Sequence, residues 1–258
     1  QITDDSAGEI TSFIRNTDIF SDIKITDKKP IIIGKEIDDE YIKAIKKQVL
    51  TIDIPSDFKV VYTPLQGSGN KPVRAILDKI GIKNVTVVKT QELPDGNFPT
   101  APYPNPEIKQ AFEEALKVAN ETKPDILLAT DPDCDRVGIA VNQNGEFILV
   151  SGNDMGVLLL NYILERRTAN GTLPTNPVAV KTIVSSELCQ KIADDFGCQL
   201  INVLTGFKFI GEQISILEAQ NEQERFIFGY EESYGYLSGA YCRDKDAVVA
   251  SMLICEMA

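Results

Sequence analysis

The stretch "LLATDPDCDRVGIA", residues 127–140, decides the fold. Its apolar start at 127–130 leads directly into aspartates at 131, 133 and 135, and Arg136 closes the charged group. A short apolar run bounded by polar residues is typical of a buried strand. In open α/β sheets, functional groups gather beyond the carboxyl ends of such strands. We therefore predict a strand of an α/β sheet with a functional loop at its end.

The segments around this loop alternate between strand and helix patterns. "FKVVYTPLQGSGNKPVRAILDKIG" (58–81) is typical of a strand, a glycine-rich turn and a helix. "NPEIKQAFEEALKVANETKPDILLAT" (105–130) predicts a helix with Asn105 as N-cap and Pro106 at its first position, followed by a strand. The same alternation continues after residue 151. The sequence thus predicts the α/β class: two consecutive α/β domains, each a mixed, mainly parallel sheet flanked by helices.

A hairpin signal marks the boundary between these domains. In "GIAVNQNGEFILVSG" (138–152), Asn144-Gly145 is a strong two-residue turn between apolar runs. We place the domains at 1–150 and 151–258. Residues 1–30 are polar and are expected to be an irregular lead-in from a preceding domain. Because the chain starts at Gln1 and ends within a helix-like pattern, we expect an internal piece of a longer protein, truncated at its C-terminal end.

Composition and charge narrow the functional classes. The net charge of −12 argues against nucleic acid and against anionic membrane surfaces, and no apolar run is long enough to span a bilayer. The five cysteines contain no C-x-x-C pair and are expected to be reduced thiols of a cytoplasmic protein. Histidine is absent. Proton transfer within this segment would therefore rely on carboxylates, lysines or a residue supplied from outside it.

The three aspartates have the spacing of a site for a hard divalent cation. Their i, i+2, i+4 positions let the carboxylates converge in a loop, where Mg²⁺ would offset their repulsion and share its ligand shell with a substrate phosphate. Arg136 adds a planar charged fork suited to phosphate. An EF-hand is excluded, because Arg136 and Asn142 stand where glycine and glutamate are required. A haloacid-dehalogenase-type phosphatase with Asp131 as nucleophile and a solvated acidic turn remain as alternatives.

Other stretches could also carry chemistry. "TPLQGSGNKP" (63–72) offers backbone N–H groups to a phosphate or is simply a tight turn. In "GYEESYGYLSG" (229–239), Glu231 and Ser233 present hydrogen-bonding groups two residues apart, as for neighbouring sugar hydroxyls, or form an acidic surface loop. In "CRDKDA" (242–247), Arg243 and Lys245 suggest an anionic ligand, or a solvated charge run.

Three motifs together resemble the α-D-phosphohexomutase superfamily, most closely its bacterial α-phosphoglucomutase branch. "TDPDCDR" (130–136) resembles the family's metal-binding loop, usually D-P-D-G-D-R. "GYEESYG" (229–235) resembles its sugar-recognition loop G-E-E-S-x-G, and "LTGFKFIG" (204–211) resembles the threonine-glycine segment before that loop. Their order and distances also fit, so the resemblance spans nearly the whole chain. Cys134 stands where glycine is usual, which requires a negative φ or a thiol that points away from the metal.

The resemblance implies a role for each matching residue. It implies Asp131, Asp133 and Asp135 as Mg²⁺ ligands, with Arg136 beside the catalytic phosphate. It implies that Thr205 and Gly206 line the sugar site while Glu231 and Ser233 hold hydroxyls. Lys245 falls in the family's Arg-x-Lys-Asp segment and would approach the substrate phosphate or transfer protons, with Lys208 as a further candidate and Arg243 as a substrate-binding residue.

The resemblance also implies the reaction and the missing parts. The family carries its phosphate on a serine in a T-A-S-H-N-P-like loop of its first domain, and no such loop occurs here. We therefore expect the two central domains of a phosphoglucomutase, which interconverts glucose 1-phosphate and glucose 6-phosphate through glucose 1,6-bisphosphate. Flanking domains would supply the serine and the clamp for the non-reacting phosphate, and the segment alone would be inactive. Mannose or pentose phosphate as substrate, and a non-enzymatic metal- or sugar-phosphate-binding module, are the other hypotheses.

Overall fold

Two separate β-sheets organise the chain. The computed structural model describes residues 4–51 and 53–258. The first sheet contains β1 (Lys59–Thr63), β2 (Asn84–Val87), β3 (Ile126–Thr130), β4 (Val137–Gln143) and β5 (Glu146–Val150) in the order β2-β1-β3-β4-β5. The second contains β6 (Val178–Thr182), β7 (Gln199–Val203), β8 (Phe226–Glu231) and β9 (Gly235–Leu237) in the order β7-β6-β8-β9.

The two sheets repeat one topology. In each, the first strand lies between the second and third and is parallel to both, and the fourth strand is antiparallel to the third. The first sheet adds β5 through the predicted hairpin at Asn144-Gly145. The predicted α/β class with two mixed, helix-flanked sheets is confirmed. In the first sheet two of the four pairings, β3–β4 and β4–β5, are antiparallel, so "mainly parallel" describes only the second sheet.

Eight α-helices occur in the described part of the chain. They are α1 (Asp4–Arg15), α2 (Lys35–Lys46), α3 (Asn70–Lys79), α4 (Glu113–Thr122), α5 (Gly152–Ala169), α6 (Leu188–Asp195), α7 (Phe207–Ala219) and α8 (Ala247–Met257). The predicted apolar stripe of α3 is buried as expected, because Val73, Ile76 and Leu77 are fully covered. None of the helices in the described ranges is both long and apolar enough to cross a membrane.

Two of the local predictions were wrong. Residues 4–15 of the predicted irregular lead-in form α1, and the first three residues of that lead-in lie outside the described residues. The helix predicted from Asn105 begins only at Glu113, after a short 3₁₀ turn at Lys109–Phe112. Asn105 does accept a backbone hydrogen bond, from Glu107 at 3.0 Å, but this bond closes a local turn. The turn leaves Glu107 free to reach the aspartate loop.

The largest hydrophobic cluster spans both sheets and includes Tyr62 of β1 and Tyr230 of β8. Helix α8 lies between the two units, one built on each sheet, with every residue from 247 to 256 buried. Met252, Leu253 and Ile254 of this helix are at most 1% exposed. Full burial of one such side chain contributes about 1.5–3 kcal/mol. The last helix therefore joins the two units and holds the loops at the ends of their strands in fixed relation.

Candidate active site

Three carboxylates converge in the turn between β3 and β4, residues 131–136, called here the aspartate turn. One carboxylate oxygen from each of Asp131, Asp133 and Asp135 lies within 4.8 Å of the others. The turn follows directly from Thr130, the last residue of a strand that is buried along its whole length. An all-oxygen donor set at the end of a sheet strand is the kind that Mg²⁺ prefers. The residues present thus fit the metal implied by the sequence.

Asp131 is the anchored member of the three. Its side chain is 1% exposed, and it accepts hydrogen bonds from Arg136 Nε at 2.7 Å and from the backbone N–H groups of Asp135 and Arg136 at 3.1 and 3.0 Å. Burial raises the pKa of Asp131 to about 6, although the hydrogen bonds from Arg136 act in the opposite direction. These donors fix the carboxylate in one orientation, so a metal ion would meet a preorganised ligand.

Arg136 is held between two carboxylates. Its Nε lies 2.7 Å from Asp131 Oδ2, and its Nη1 lies 3.0 Å from Oε1 of Glu107, in the loop before α4. The side chain stays 30% exposed, so the guanidinium still faces a cleft of about 450 Å³ beside the turn, lined also by Tyr103, Ile108 and Asp133. Glu107 is a site residue that the sequence reasoning missed. The one sequence signal for Glu107 is its position two residues after Asn105, whose side chain accepts from the Glu107 N–H in an Asx turn.

A supporting loop, residues 64–69 after β1, packs directly against the aspartate turn. The N–H of Ser68 donates to the carbonyl of Pro132 at 2.8 Å, and a Cβ on Gly67 would lie 2.4 Å from Pro132 Cα. A Cβ on Gly69 would meet Thr130 Oγ1 at 2.7 Å. The glycines of "TPLQGSGNKP" therefore permit close backbone approach. Because the Ser68 N–H already has a partner, the geometry favours the tight-turn interpretation over phosphate binding.

Cys134 adopts a left-handed conformation within the aspartate turn. Its φ is +62°, so the first condition for replacing the usual glycine is not met. The side chain packs against the main core cluster and the supporting loop, with Sγ 2.8 Å from the place that a Cβ on Gly69 would take. Burial raises the pKa of the Cys134 thiol far above its ordinary value, which keeps it protonated and uncharged.

The predicted sugar-recognition residues lie at the corresponding turn of the second sheet. Residues 232–234, called here the sugar turn, join β8 to β9 with Tyr234 at φ +67°. Glu231, the last residue of β8, accepts a hydrogen bond from the backbone N–H of Gly206 at 2.8 Å. Burial raises the pKa of Glu231, while this bond and the charge of Lys245 oppose the rise. Ser233 lies half-buried in the sugar turn, and Thr205 is exposed beside Gly206.

Hydrogen bonds join the two turns into one site. The N–H of Val137 donates to the carbonyl of Tyr234 at 3.1 Å, and Arg136 forms an antiparallel bridge with Gly235. These contacts link the end of the aspartate turn to the end of the sugar turn. A ligand at one turn is consequently within reach of the groups at the other.

Lys245 spans the junction between the turns. Its Nζ lies 2.8 Å from Asp135 Oδ2 and 5.4 Å from the centre of the Phe207 ring, and its stem lies over Gly235. Burial acts to lower the pKa of Lys245, but the carboxylates of Asp135 and Asp244 together outweigh it and raise the pKa above its normal value. The cationic form is therefore the stable one in the structure as it stands.

Buried Asp246, which the sequence reasoning also missed, fixes the segment that carries Lys245. Its carboxylate accepts from Tyr41 Oη at 3.0 Å, from Tyr241 Oη, and from the second and third backbone N–H groups of α8 at 2.8 and 3.2 Å. An aspartate before an apolar helical run is a typical N-cap pattern, so this residue could have been found from the sequence.

Two further predicted residues lie on or against α7. The guanidinium of Arg243 is bound to Ser215 and Glu218 of α7 and to the carbonyl of Ala240. Glu218 is at the end of α7 opposite Phe207, about 16 Å along the helix. Lys208 lies on the first turn of α7, with Nζ 4.9 Å from the Phe209 ring centre. The roles of both residues stay predictions.

Comparison with known proteins matches both units. Residues 39–145 match the family model "Phosphoglucomutase/phosphomannomutase, alpha/beta/alpha domain II", and residues 151–258 match the model for domain III of the same family. A phosphoglucomutase of Staphylococcus haemolyticus is 35% identical over 98% of the chain and 46% of its own length. A phosphoglucomutase of Staphylococcus aureus (strain USA300) is 37% identical over 87% of the chain and 39% of its own length. The chain thus spans less than half the length of these curated relatives.

Solved structures show the same fold. A putative phosphomannomutase from Thermus thermophilus superposes with a TM-score of 0.66 at 22% identity, over 86% of this chain and 46% of that one. A phosphoglucomutase/phosphomannomutase family protein from Burkholderia thailandensis gives 0.64 at 16% identity, over 86% and 43%.

Proposed function

Because the chain belongs to the phosphoglucomutase/phosphomannomutase family, we propose that it forms the central part of a Mg²⁺-dependent phosphoglucomutase. The proposed reaction interconverts glucose 1-phosphate and glucose 6-phosphate, with a phosphoserine outside these residues as donor and glucose 1,6-bisphosphate as intermediate. The observation that carries the proposal is the junction of the two turns, where an acidic cluster and a sugar-binding type of loop share hydrogen bonds. In this proposal the two turns form one site, with metal-binding carboxylates at one turn and hydrogen-bonding groups for a sugar at the other.

In this proposal the aspartate turn serves the phosphoryl group. Asp131, Asp133 and Asp135 would hold Mg²⁺, whose charge offsets the negative charge on a transferring phosphoryl group. Arg136 presents a guanidinium whose orientation Glu107 and Asp131 already fix. Such preorganised charge requires no rearrangement when negative charge develops on the phosphate.

The sugar turn would serve the hexose. Glu231 accepts and Ser233 donates or accepts hydrogen bonds, and Thr205 with Gly206 would form the adjacent wall. Lys245 lies between the two turns, where it could contact a phosphate oxygen or exchange a proton with a sugar hydroxyl. Lys208 and Arg243 remain candidates for contacting the substrate. Mannose or pentose phosphates are alternative substrates, because Glu231 and Ser233 alone do not discriminate between epimers.

A phosphatase that uses Asp131 as nucleophile is the second candidate. It is disfavoured because both units match models of the phosphoglucomutase/phosphomannomutase family. We further propose a cytoplasmic location, on the basis of five free cysteines in a chain without disulfides.

The test uses the full-length protein that contains these residues. Purified protein is supplied with glucose 1-phosphate and a trace of glucose 1,6-bisphosphate, with Mg²⁺ or with EDTA, and formation of glucose 6-phosphate is followed. We expect turnover with Mg²⁺, none with EDTA, and none from residues 1–258 alone. Mannose 1-phosphate and ribose 1-phosphate are assayed in parallel, and a higher kcat/KM for either would reassign the substrate. Release of inorganic phosphate without glucose 6-phosphate would contradict the proposal and favour the phosphatase.

A further inference from the structure

The first residue of the sugar turn, Glu232, faces away from the groups proposed to bind sugar. Its Oε2 accepts a hydrogen bond from Oγ1 of Thr182 at 2.8 Å, at the end of β6. Thr182 is fully buried, and its Oγ1 lies 2.6 Å from Oγ of Ser185, which is 5% exposed. Glu232 is thus tied to the interior of the second unit, while its neighbours Glu231 and Ser233 remain at the site.

Which group donates in each of these hydrogen bonds follows from the protons that the groups carry. The carboxylate of Glu232 can only accept, so the single proton of the Thr182 hydroxyl is used for it. The Ser185 hydroxyl must then donate to Thr182 Oγ1. The end of β6 and the loop after it are held in turn by Lys181, whose fully buried Nζ donates to the carbonyls of Thr182 and Ser185 at 3.3 and 3.2 Å. Two successive hydroxyl donors, Ser185 and Thr182, therefore connect this loop to Glu232 in the sugar turn.

The backbone of the sugar turn is fixed on its other sides as well. A Cβ on Gly152, at the start of α5, would lie 2.0 Å from the carbonyl oxygen of Glu232. The carbonyl of Tyr234 accepts from Val137, and Tyr234 itself holds a left-handed φ of +67°. A tyrosine in this conformation costs about 1–2 kcal/mol, so the surrounding contacts must over-determine the turn.

The equivalent loop of the first unit also supports a turn, but through its backbone. This loop, after β1, contacts the aspartate turn at Gly67 and Ser68. In the second unit the loop after β6 occupies the same topological place but has no glycine. Its support comes from the side-chain bond between Thr182 and Glu232.

We propose that Glu232 is a positioning residue: through its bond to Thr182 it holds the sugar turn so that Glu231 and Ser233 face the hexose. The idea rests on the proposed function for its ligand. It assigns Glu232 no contact with substrate, metal or the reacting atoms. Its effect should therefore appear in sugar-phosphate affinity and in the order of the turn, and not in Mg²⁺ binding.

The test compares paired variants of the full-length protein. Glu232→Ala and Thr182→Val each remove the bond, whereas Glu232→Gln keeps an acceptor and Thr182→Ser keeps the hydroxyl. We expect the first two to raise KM for glucose 1-phosphate about tenfold with kcat within about twofold, and the double variant to be no worse than either single one. The two conservative variants should stay within about threefold of wild type. Exposed Glu165→Ala on α5 is the matched control.

Amide hydrogen exchange separates this proposal from the proposed function. Glu232→Ala and Thr182→Val should accelerate exchange over residues 231–235 to the same extent, whatever reaction the protein catalyses. Unchanged exchange would overturn the positioning role even if the protein is a phosphoglucomutase. Additive effects of the two substitutions, equal losses in the Ala and Gln variants, or a matching loss of Mg²⁺ affinity would also overturn it. A wild-type protein without mutase activity would contradict the proposed function while leaving the exchange result to decide the positioning role.

Discussion

The aspartate turn and the sugar turn occupy the same place in two sheets of the same topology, yet they are built differently. The first has six residues between β3 and β4 and gathers carboxylates. The second has three residues between β8 and β9 and is flanked by Glu231 and Gly235. Each contains a non-glycine residue in the left-handed region, Cys134 and Tyr234 respectively. The same strand arrangement can therefore present two different sets of side chains at equivalent hairpin turns.

The largest expected effect comes from removing a carboxylate of the aspartate turn. Asp133→Asn keeps the size of the side chain but removes the charge of one proposed ligand. We expect Mg²⁺ affinity of the full-length protein to fall by at least about 100-fold, measured by calorimetric titration, because even outer-shell changes cost 10–100-fold. Asp57→Asn, at an exposed position, is the matched control and should bind like wild type. Unchanged affinity in Asp133→Asn would remove the metal from this turn.

The junction between the units should respond to pH through Glu256 of α8. Its Oε2 accepts from the N–H of Leu50 at 3.0 Å and from Tyr162 at 3.4 Å, while its buried Oε1 lacks a partner among the described residues. Burial raises the pKa of Glu256 to about 7 from 4.5, so the folded state binds the proton more tightly. This contribution is full below pH 4.5 and is lost as the pH rises to about 7.

The loss should amount to about 3 kcal/mol at most, at ~1.4 kcal/mol per unit of pKa. It is measured as the free energy of urea unfolding between pH 4.5 and 7.5, for wild type and Glu256→Gln. We expect the difference between the two proteins to change in favour of the variant as the pH rises. The exposed control Glu165→Gln should give a curve of unfolding free energy against pH that is parallel to the wild-type curve. A parallel curve for Glu256→Gln would show that Glu256 does not cause the pH dependence.

Support of the aspartate turn by backbone contact can be broken at Gly67. Alanine there would place Cβ 2.4 Å from Pro132 Cα, so the turn must shift, and we expect the free energy of unfolding to fall by about 1–3 kcal/mol. Gly96→Ala is the control, because a Cβ at Gly96 meets nothing within 4 Å. Mg²⁺ affinity should fall in Gly67→Ala only. Equal stability of the two variants would mean that the supporting loop does not hold the turn.

A substitution beside the sugar turn should weaken sugar-phosphate binding and leave Mg²⁺ affinity unchanged. Glu231→Gln keeps an oxygen for the Gly206 N–H but removes the charge, so we expect KM for glucose 1-phosphate to rise about tenfold. Steady-state kinetics at saturating Mg²⁺ measures this, and Mg²⁺ affinity should match that of wild type. A variant that loses metal affinity instead would erase the distinction between the two turns.

The smallest effect is expected at Cys134. Replacing it with glycine relieves a left-handed conformation, worth about 1–2 kcal/mol, but loses the packing of a buried thiol and makes the unfolded chain more flexible. The net change in the free energy of unfolding should be within about 1 kcal/mol, with Mg²⁺ affinity unchanged. Urea unfolding and metal titration check both points. A tenfold change in Mg²⁺ affinity would show that the thiol touches the metal site after all.

Much of the fold could be predicted from local patterns, because strands, helix stripes and the Asn144-Gly145 turn depend on neighbouring residues. The aspartate spacing likewise predicted the convergence of three carboxylates. Contacts between distant segments could not be predicted in this way. Glu107 reaches Arg136 only because the helix after it begins at Glu113 and not at Pro106. Arg243 forms an ion pair with Glu218 on α7, whereas Lys245, two residues further on, lies in the site. The shared topology of the units was also hidden, since the loops that perform equivalent support contain different residues.

Locating the covalent phosphate tests the central claim most directly. The full-length protein is incubated with glucose 1,6-bisphosphate and Mg²⁺, and the modified residue is identified by mass spectrometry under conditions that preserve acyl phosphates. We expect a phosphoserine outside residues 1–258, with Asp131, Asp133 and Asp135 unmodified as befits metal ligands. An acyl phosphate on Asp131 would contradict this assignment and make the aspartate turn the site of the nucleophile.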